Sequence, residues 1–182
     1  LQVYFLDNED YFKRKSVLTD ANDAFHLDND ERSIFFCKGV IETVKKLGWP
    51  PHIIHCHDWM SSFIPLYLRT HYQDDPMFKN TKTVFTVYNN GYSQELPLDY
   101  MDKVRVDGIG DKELDNYNEN NYVGVIKGGI ALSDVVTKGH PTVDEKIEEY
   151  IEEVQSEKIY FDTNDKESFV EGYNKLYADI VS

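Results

Sequence analysis

Cysteine is scarce in this chain: only Cys37 and Cys56 occur in 182 residues. So few thiols exclude a disulfide-stapled scaffold. Their places in a predicted helix and a predicted strand read as buried, reduced thiols of a cytoplasmic protein, with a disulfide between them left open. Basic residues are also short, with 19 Lys and Arg against 33 Asp and Glu and a net charge of −14. That balance leaves no basic surface for a phosphate backbone or an anionic lipid face, so nucleic acid and membrane are excluded as partners. No apolar run reaches the roughly 18 residues that span a bilayer, and no signal-peptide pattern opens the chain. Several catalytic signatures are missing too: there is no Gly-x-Ser-x-Gly elbow, no P-loop and no Gly-x-Gly-x-x-Gly fingerprint. Gly108-Ile109-Gly110 lacks the third glycine and follows no strand, so it reads as a turn. Internal repeats and low-complexity segments are absent as well.

What is present is enough to fold. Hydrophobic residues make up 41% and aromatics 14%, with 13 Tyr and 10 Phe, which suffices for the core of one domain of this length. The chain starts at Leu1 rather than Met, and Val3-Tyr4-Phe5-Leu6 reads as a strand already under way. We therefore expect a piece whose earlier elements precede Leu1. From Glu31 to Leu47, apolar residues at Ile34, Phe35, Val40, Ile41, Val44 and Leu47 predict a helix packed on a sheet. Gly48 stops it and Pro50-Pro51 forbids continuation. A strand at 52–57 follows, then a helix over about 59–70 with Pro65 forcing a kink or a late start. Residues 83–87 form the next strand. Periodicity is then lost over about 88–121, where Asn89-Asn90-Gly91 marks a turn.

A helix over about 122–132 and a strand at 134–137 come next. Thr142, with Glu145 three residues on, has the pattern of a capping box. It opens the first of two C-terminal helices, at about 142–155 and 165–181, with a short strand at 158–161 between them. Strands alternating with helices predict an α/β fold: a Rossmann-like parallel sheet with helices on both faces, forming one lobe over residues 1–182.

Residues 53–60, Ile-Ile-His-Cys-His-Asp-Trp-Met, hold the densest chemistry. They read as a buried strand whose carboxyl end opens into a helix, the edge where open α/β sheets bind ligands. Period 2 puts His55 and His57 on one face and Cys56 on the other. The pair invites a metal reading, because imidazole suits zinc. However, Asp58 follows His57 directly, and His26, His52, His71 and His140 complete no ligand set. The bland alternative makes His55 a satisfied core residue, and it fits His55 better than His57 at the mouth. Asp7-Asn8 after the first strand, Tyr88 and Asn89 after the strand at 83–87, and Lys127 in the Gly-rich helix should converge on the same edge. Each alone fits a turn or a surface position. Together, hydroxyl, amide and carboxylate groups at a cleft suit a polyhydroxylated ligand. The pairs Glu148-Glu149 and Glu152-Glu153 read as a solvated helix face.

Ordered along the chain, these segments resemble the N-terminal domain of bacterial glycogen synthases and plant starch synthases. Tyr4-Phe5-Leu6-Asp7-Asn8 is similar to that family's Tyr-Phe-x-Asp-Asn. Pro51 to Trp59 is similar to Pro-Asp-x-x-His-x-His-Asp-Trp-His, and Val84 to Tyr92 to Val-Phe-Thr-x-His-Asn-x-x-Tyr. Asn120 with Lys127 and Gly128 resembles Asn…Lys-x-Gly, and Ala131 to Thr137 resembles Ala-Asp-x-x-x-Thr, so the likeness covers about residues 1–140. It implies a two-lobed retaining glucosyltransferase whose active site lies between Rossmann-like lobes, with this chain as one lobe. It further implies a nucleotide-sugar donor, ADP-glucose or UDP-glucose, an α-1,4-glucan acceptor, and no cofactor or metal. The second lobe would come from a missing segment or a partner chain. The residues so implied are His57 and Asp58 for catalysis, with Asp7, Asn8, Tyr88, Asn89, Asn120 and Lys127 for substrate. The family's closing His of the motif is Met60 here, and its loop His is Tyr88. These departures keep open a second reading, a silent glucan-binding or regulatory module of the same fold.

Overall fold

Branched and aromatic residues mark out the strands, and each run is followed by a helix that returns the chain to the same edge. The computed structural model describes residues 2–92, 94–106, 108–154, 159–162 and 169–182. Its strands are β1 (Ile53–His57), β2 (Lys82–Val87), β3 (Val135–Lys138) and β4 (Ile159–Asp162). They pair in parallel in the order β1-β2-β3-β4. Parallel neighbours need crossovers. α3 (Phe63–Arg69), α6 (Tyr122–Leu132) and α7 (Glu145–Val154) supply them.

Period 2 sorts the strand residues onto two faces. Ile54, Cys56, Phe85, Val87 and Val136 face the main core. There they meet α3, α6, α7 and α2 (Asn29–Leu47) through residues such as Ile41, Leu66, Ile126 and Ile147. Val84 and Val135, with Ile53 beside them, face the other way and are covered by Tyr173, Leu176 and Ile180 of α8 (Phe169–Val181). The predicted sheet with helices on both faces is therefore the observed one.

The helix bounds follow from local chemistry. α2 places Asp30 and Glu31 in its first turn and Lys45 and Lys46 in its last, matching the helix dipole, and ends at Gly48 with φ 68°. Pro65 sits in the first turn of α3, where no intrahelical donor is required.

Three expectations change. Val3 to Leu6 is not a strand: none of the described strands pairs with it, and Val3 and Phe5 are exposed. Instead Tyr4 meets the Trp49 ring at 5.9 Å and Leu6 lies against Gly39 of α2. Strand propensity does not form a strand without a partner for its backbone. The capping box at Thr142 does not form either. α7 starts three residues later, and Asp144 Oδ1 accepts the Lys146 N–H at 3.0 Å, a cap that Asp makes more readily than Thr. Finally, the irregular stretch holds two short helices, α4 (Tyr100–Val104) and α5 (Asp111–Leu114), which a period of 3.6 cannot reveal at such lengths. A further short helix, α1 (Glu9–Phe12), precedes α2. Positions 155, 158 and 165–168 of the C-terminal elements lie outside the described residues.

Candidate functional site

At the carboxyl tip of β1, the two imidazoles share a face as their spacing requires, and their rings stack at 4.1 Å with an interplanar angle of 27°. His57 is exposed. Its Nδ1 lies 3.0 Å from the Tyr88 hydroxyl, and its Nε2 has no partner among the described residues. His55 sits deeper and uses both nitrogens. Nδ1 is 2.6 Å from the Tyr177 hydroxyl and Nε2 is 2.6 Å from Thr86 Oγ1. Thr86 is tied in turn to Thr137 at 2.5 Å, and Tyr173 meets both threonines at 3.3 Å. Burial pushes the His55 imidazole down to about 4, helped by His57 next to it, and burial also lowers His57. Both rings are therefore neutral near pH 7.

Asp58 turns the corner after β1 with φ 59° and ψ −171°. At that ψ the backbone lies outside the left-handed helical region that Asp tolerates, in one that side-chain-bearing residues rarely adopt, so the corner is strained. Its amide donates to the Thr86 carbonyl at 2.9 Å, and its own carbonyl accepts from Ser61 Oγ at 3.0 Å. The carboxylate turns inward, where Asn90 Nδ2 donates to Oδ2 at 2.5 Å while Oδ1 is buried without a partner. Burial pushes this carboxyl up to about 6, against the pull of the Asn90 amide. Asp58 thus fastens the loop after β2 to the tip of β1. Tyr88, in that loop, lies with its ring against Gly139, where any Cβ would collide with it. Asn89 donates to Thr142 Oγ1 at 3.3 Å.

A cavity of about 280 Å³ opens beside the imidazoles, lined by His55, His57, Tyr88, Val170, Tyr173, Asn174 and Tyr177. The described residues of its wall offer ring faces, hydroxyls, imidazole nitrogens and an amide, and none of them is Lys or Arg. Such a lining suits a neutral ligand rich in hydroxyls. Among the described residues, no group of three or more His, Cys, Asp and Glu is placed to hold a metal ion.

Of the residues singled out in the sequence, His57, Asp58, Tyr88 and Asn89 gather around this tip. Asn8, Asn120 and Lys127 make their bonds elsewhere, and Asp7 is exposed. Asn8 caps α1 by accepting the Tyr11 N–H at 3.0 Å, and without a first strand Asp7-Asn8 is no strand end. Asn120 holds the loop at Leu96, donating to its carbonyl at 2.7 Å. Lys127 pairs with Glu119 at 2.6 Å and lies over the Tyr150 ring. Two participants, Tyr173 and Tyr177, escaped the sequence reading, whereas Asn90 belonged to the segment read after the strand at 83–87. Tyr173 and Tyr177 looked like core positions of an amphipathic helix, and no local pattern says which sheet face such a helix covers.

The match to known proteins follows the same residues. The model of the starch synthase catalytic domain family matches residues 1–162. The chain belongs to that family. It is 41% identical over 145 residues to the glycogen synthase of Chlorobium luteolum, covering 75% of this chain and 28% of that protein. With the glycogen synthase of Chlorobium phaeobacteroides it shares 40% over 138 residues, again 75% of this chain and 28% of the relative. The catalytic domain of starch synthase IV from Arabidopsis thaliana, bound to ADP and acarbose, superposes with a TM-score of 0.56 at 20% identity. That match covers 75% of this chain and 30% of the plant chain, and it supports the fold. The chain thus spans under a third of the glycogen synthases it matches. α8 lies beyond the stretch covered by the family model.

Proposed function

We propose that this chain is the lobe of a glycogen or starch synthase-type retaining glucosyltransferase that holds sugar at the β1 tip. In this reading glucose passes from ADP-glucose or UDP-glucose to the non-reducing end of an α-1,4-glucan. The observation that carries the proposal is the juxtaposition of an exposed, neutral His57, fixed by Tyr88 and with no described partner at Nε2, and a cavity whose described lining residues include no Lys, Arg, Asp or Glu. A neutral imidazole can donate or accept at a sugar hydroxyl without the desolvation cost of a charge. Asp58 acts here by holding the loop of Tyr88, Asn89 and Asn90 in place, because its carboxylate is turned inward. Retaining transfer develops positive charge on the sugar, which nearby oxygen dipoles stabilise. The donor's diphosphate needs cations, and none of the described residues lining this cavity is Lys or Arg. A further segment of a longer protein, or a partner chain, would supply them together with the second lobe. No helix of the described residues is long and apolar enough to cross a membrane. We place the protein in the cytoplasm, where Cys37 and Cys56 remain free thiols.

The alternative, a silent glucan-binding module, is favoured by Met60 and Tyr88 at positions where the family pattern has histidine. One experiment separates the two. Labelled ADP-glucose and glycogen are incubated with the intact protein and with His57→Ala, and maltooligosaccharide binding is measured in parallel. Incorporation abolished by the substitution identifies the transferase. Binding without incorporation, weakened about tenfold or less by loss of one hydrogen bond, identifies the module. Absence of both overturns the sugar reading.

A further inference from the structure

The sheet face that carries His57 is covered by a helix that the family match does not include. α8 reaches this face with two kinds of contact. Leu176 and Tyr173 bury themselves against Val84 and Val135, which accounts for the packing. The Tyr177 hydroxyl adds something packing does not need, because a phenylalanine ring would fill the same half-buried place. It sits 2.6 Å from His55 Nδ1, opposite the Thr86 hydroxyl at 2.6 Å on Nε2. His55 is therefore pinned from both sides, by the sheet and by α8, and the His57 ring stacks on it at 4.1 Å. Among the described residues, His57 has one other hydrogen-bonding hold, the Tyr88 hydroxyl at Nδ1. A ring with a single hydrogen bond and no fixed neighbour can flip about its Cβ–Cγ bond. A ring stacked on a pinned neighbour keeps Nε2 directed at the cavity that Asn174 and Tyr177 help to wall.

We propose that Tyr177 is a positioning residue for His57, acting through His55, so that α8 is a working part of the strand-tip site. This rests on the sugar-holding role of His57 given above, and it adds a helix that lies beyond the stretch matched by the family model. Thr86, Thr137 and Tyr173 complete the relay: their hydroxyls bond to one another, so the proton on His55 is settled by four hydroxyl groups rather than by solvent.

The test uses the intact chain with ¹⁵N-labelled histidine and no sugar, so its outcome is independent of whether glucosyl transfer occurs. Long-range ¹H–¹⁵N spectra report the tautomer and mobility of each imidazole. In the parent protein, His57 should give one sharp neutral tautomer. Tyr177→Phe should reduce the dominance of that state by roughly two- to tenfold, the equivalent of one hydrogen bond, and broaden the His57 signals. His55→Phe, which keeps a stacked ring and drops both bonds, should move His57 in the same direction. Leu176→Ala, a packing control, should lower the melting temperature and leave the His57 tautomer unchanged. The proposal is overturned if Tyr177→Phe behaves like the packing control. It is equally overturned if either phenylalanine variant, folded by its amide spectrum, leaves the His57 signals where they were.

Discussion

Asp58 and His55 occupy neighbouring positions at one strand tip and titrate in opposite senses. The Asp58 carboxyl, pushed up to about 6 by burial, lies above the ~3.9 of an unfolded chain. Between those values the native state binds more protons than the unfolded one, so this contribution falls as pH rises through the window and stays low above it. His55, pushed down to about 4, lies below the ~6.5 of free histidine. Its contribution is full above that value and is lost as pH falls toward 4. Over about pH 4 to 6 the two slopes oppose each other, and the parent protein should be nearly flat there. Asp58→Asn removes one of them and keeps an oxygen for the Asn90 amide. We expect that variant to gain on the order of 1–2 kcal/mol at pH 8 and nothing at pH 4, with a stability that now climbs from pH 4 to 6. Urea unfolding at pH 4, 6 and 8 checks this, and a uniform loss at all three would refute the burial account. That His57 and Asp58 stand at a strand tip was legible because strand period and sheet edge are local facts. The inward turn of Asp58 was not, since it depends on Asn90, 32 residues away.

Elements were readable where a periodic run was long. α6 ran from Tyr122 to Leu132 as expected despite three glycines, because its apolar run leaves no polar face. The reason for those glycines is tertiary. A Cβ on Gly128 would collide with the Tyr117 ring, and one on Gly129 would stand 2.8 Å from the Phe85 ring. Gly128→Ala should therefore destabilise the chain by about 1–3 kcal/mol through overpacking, although alanine gains about 1 kcal/mol in helix propensity. Thermal unfolding of that variant is the measurement, and a rise in melting temperature would show that Tyr117 can yield. The two misread elements failed for the opposite reason. Val3 to Leu6 has strand residues without a strand neighbour, and Thr142 has the capping pattern with a better cap, Asp144, two residues on. Short-range signals compete, and the backbone partner available in space decides between them.

For the whole molecule, charge is the governing feature. A net charge of −14 and a cavity with no Lys or Arg among its described lining residues suit a neutral glucan and disfavour a diphosphate. Maltooligosaccharide binding by this chain should change less than about twofold between roughly 0.05 and 0.5 M salt. ADP-glucose alone should bind more weakly than about 1 mM. Calorimetry at two salt concentrations checks both, and a steep salt dependence would contradict the uncharged site. By itself, the sequence determined the parallel α/β architecture, the family and the identity of the strand-tip histidines, because these rest on periods of 2 and 3.6 and on ordered motifs. Only the tertiary structure decided that Asn8, Asn120 and Lys127 serve as cap, loop tie and ion pair, that Asp58 faces inward, and that α8 closes over His55. Those outcomes depend on contacts between residues tens of positions apart, such as Tyr177 with His55, 122 residues away, and local patterns carry no record of such distances.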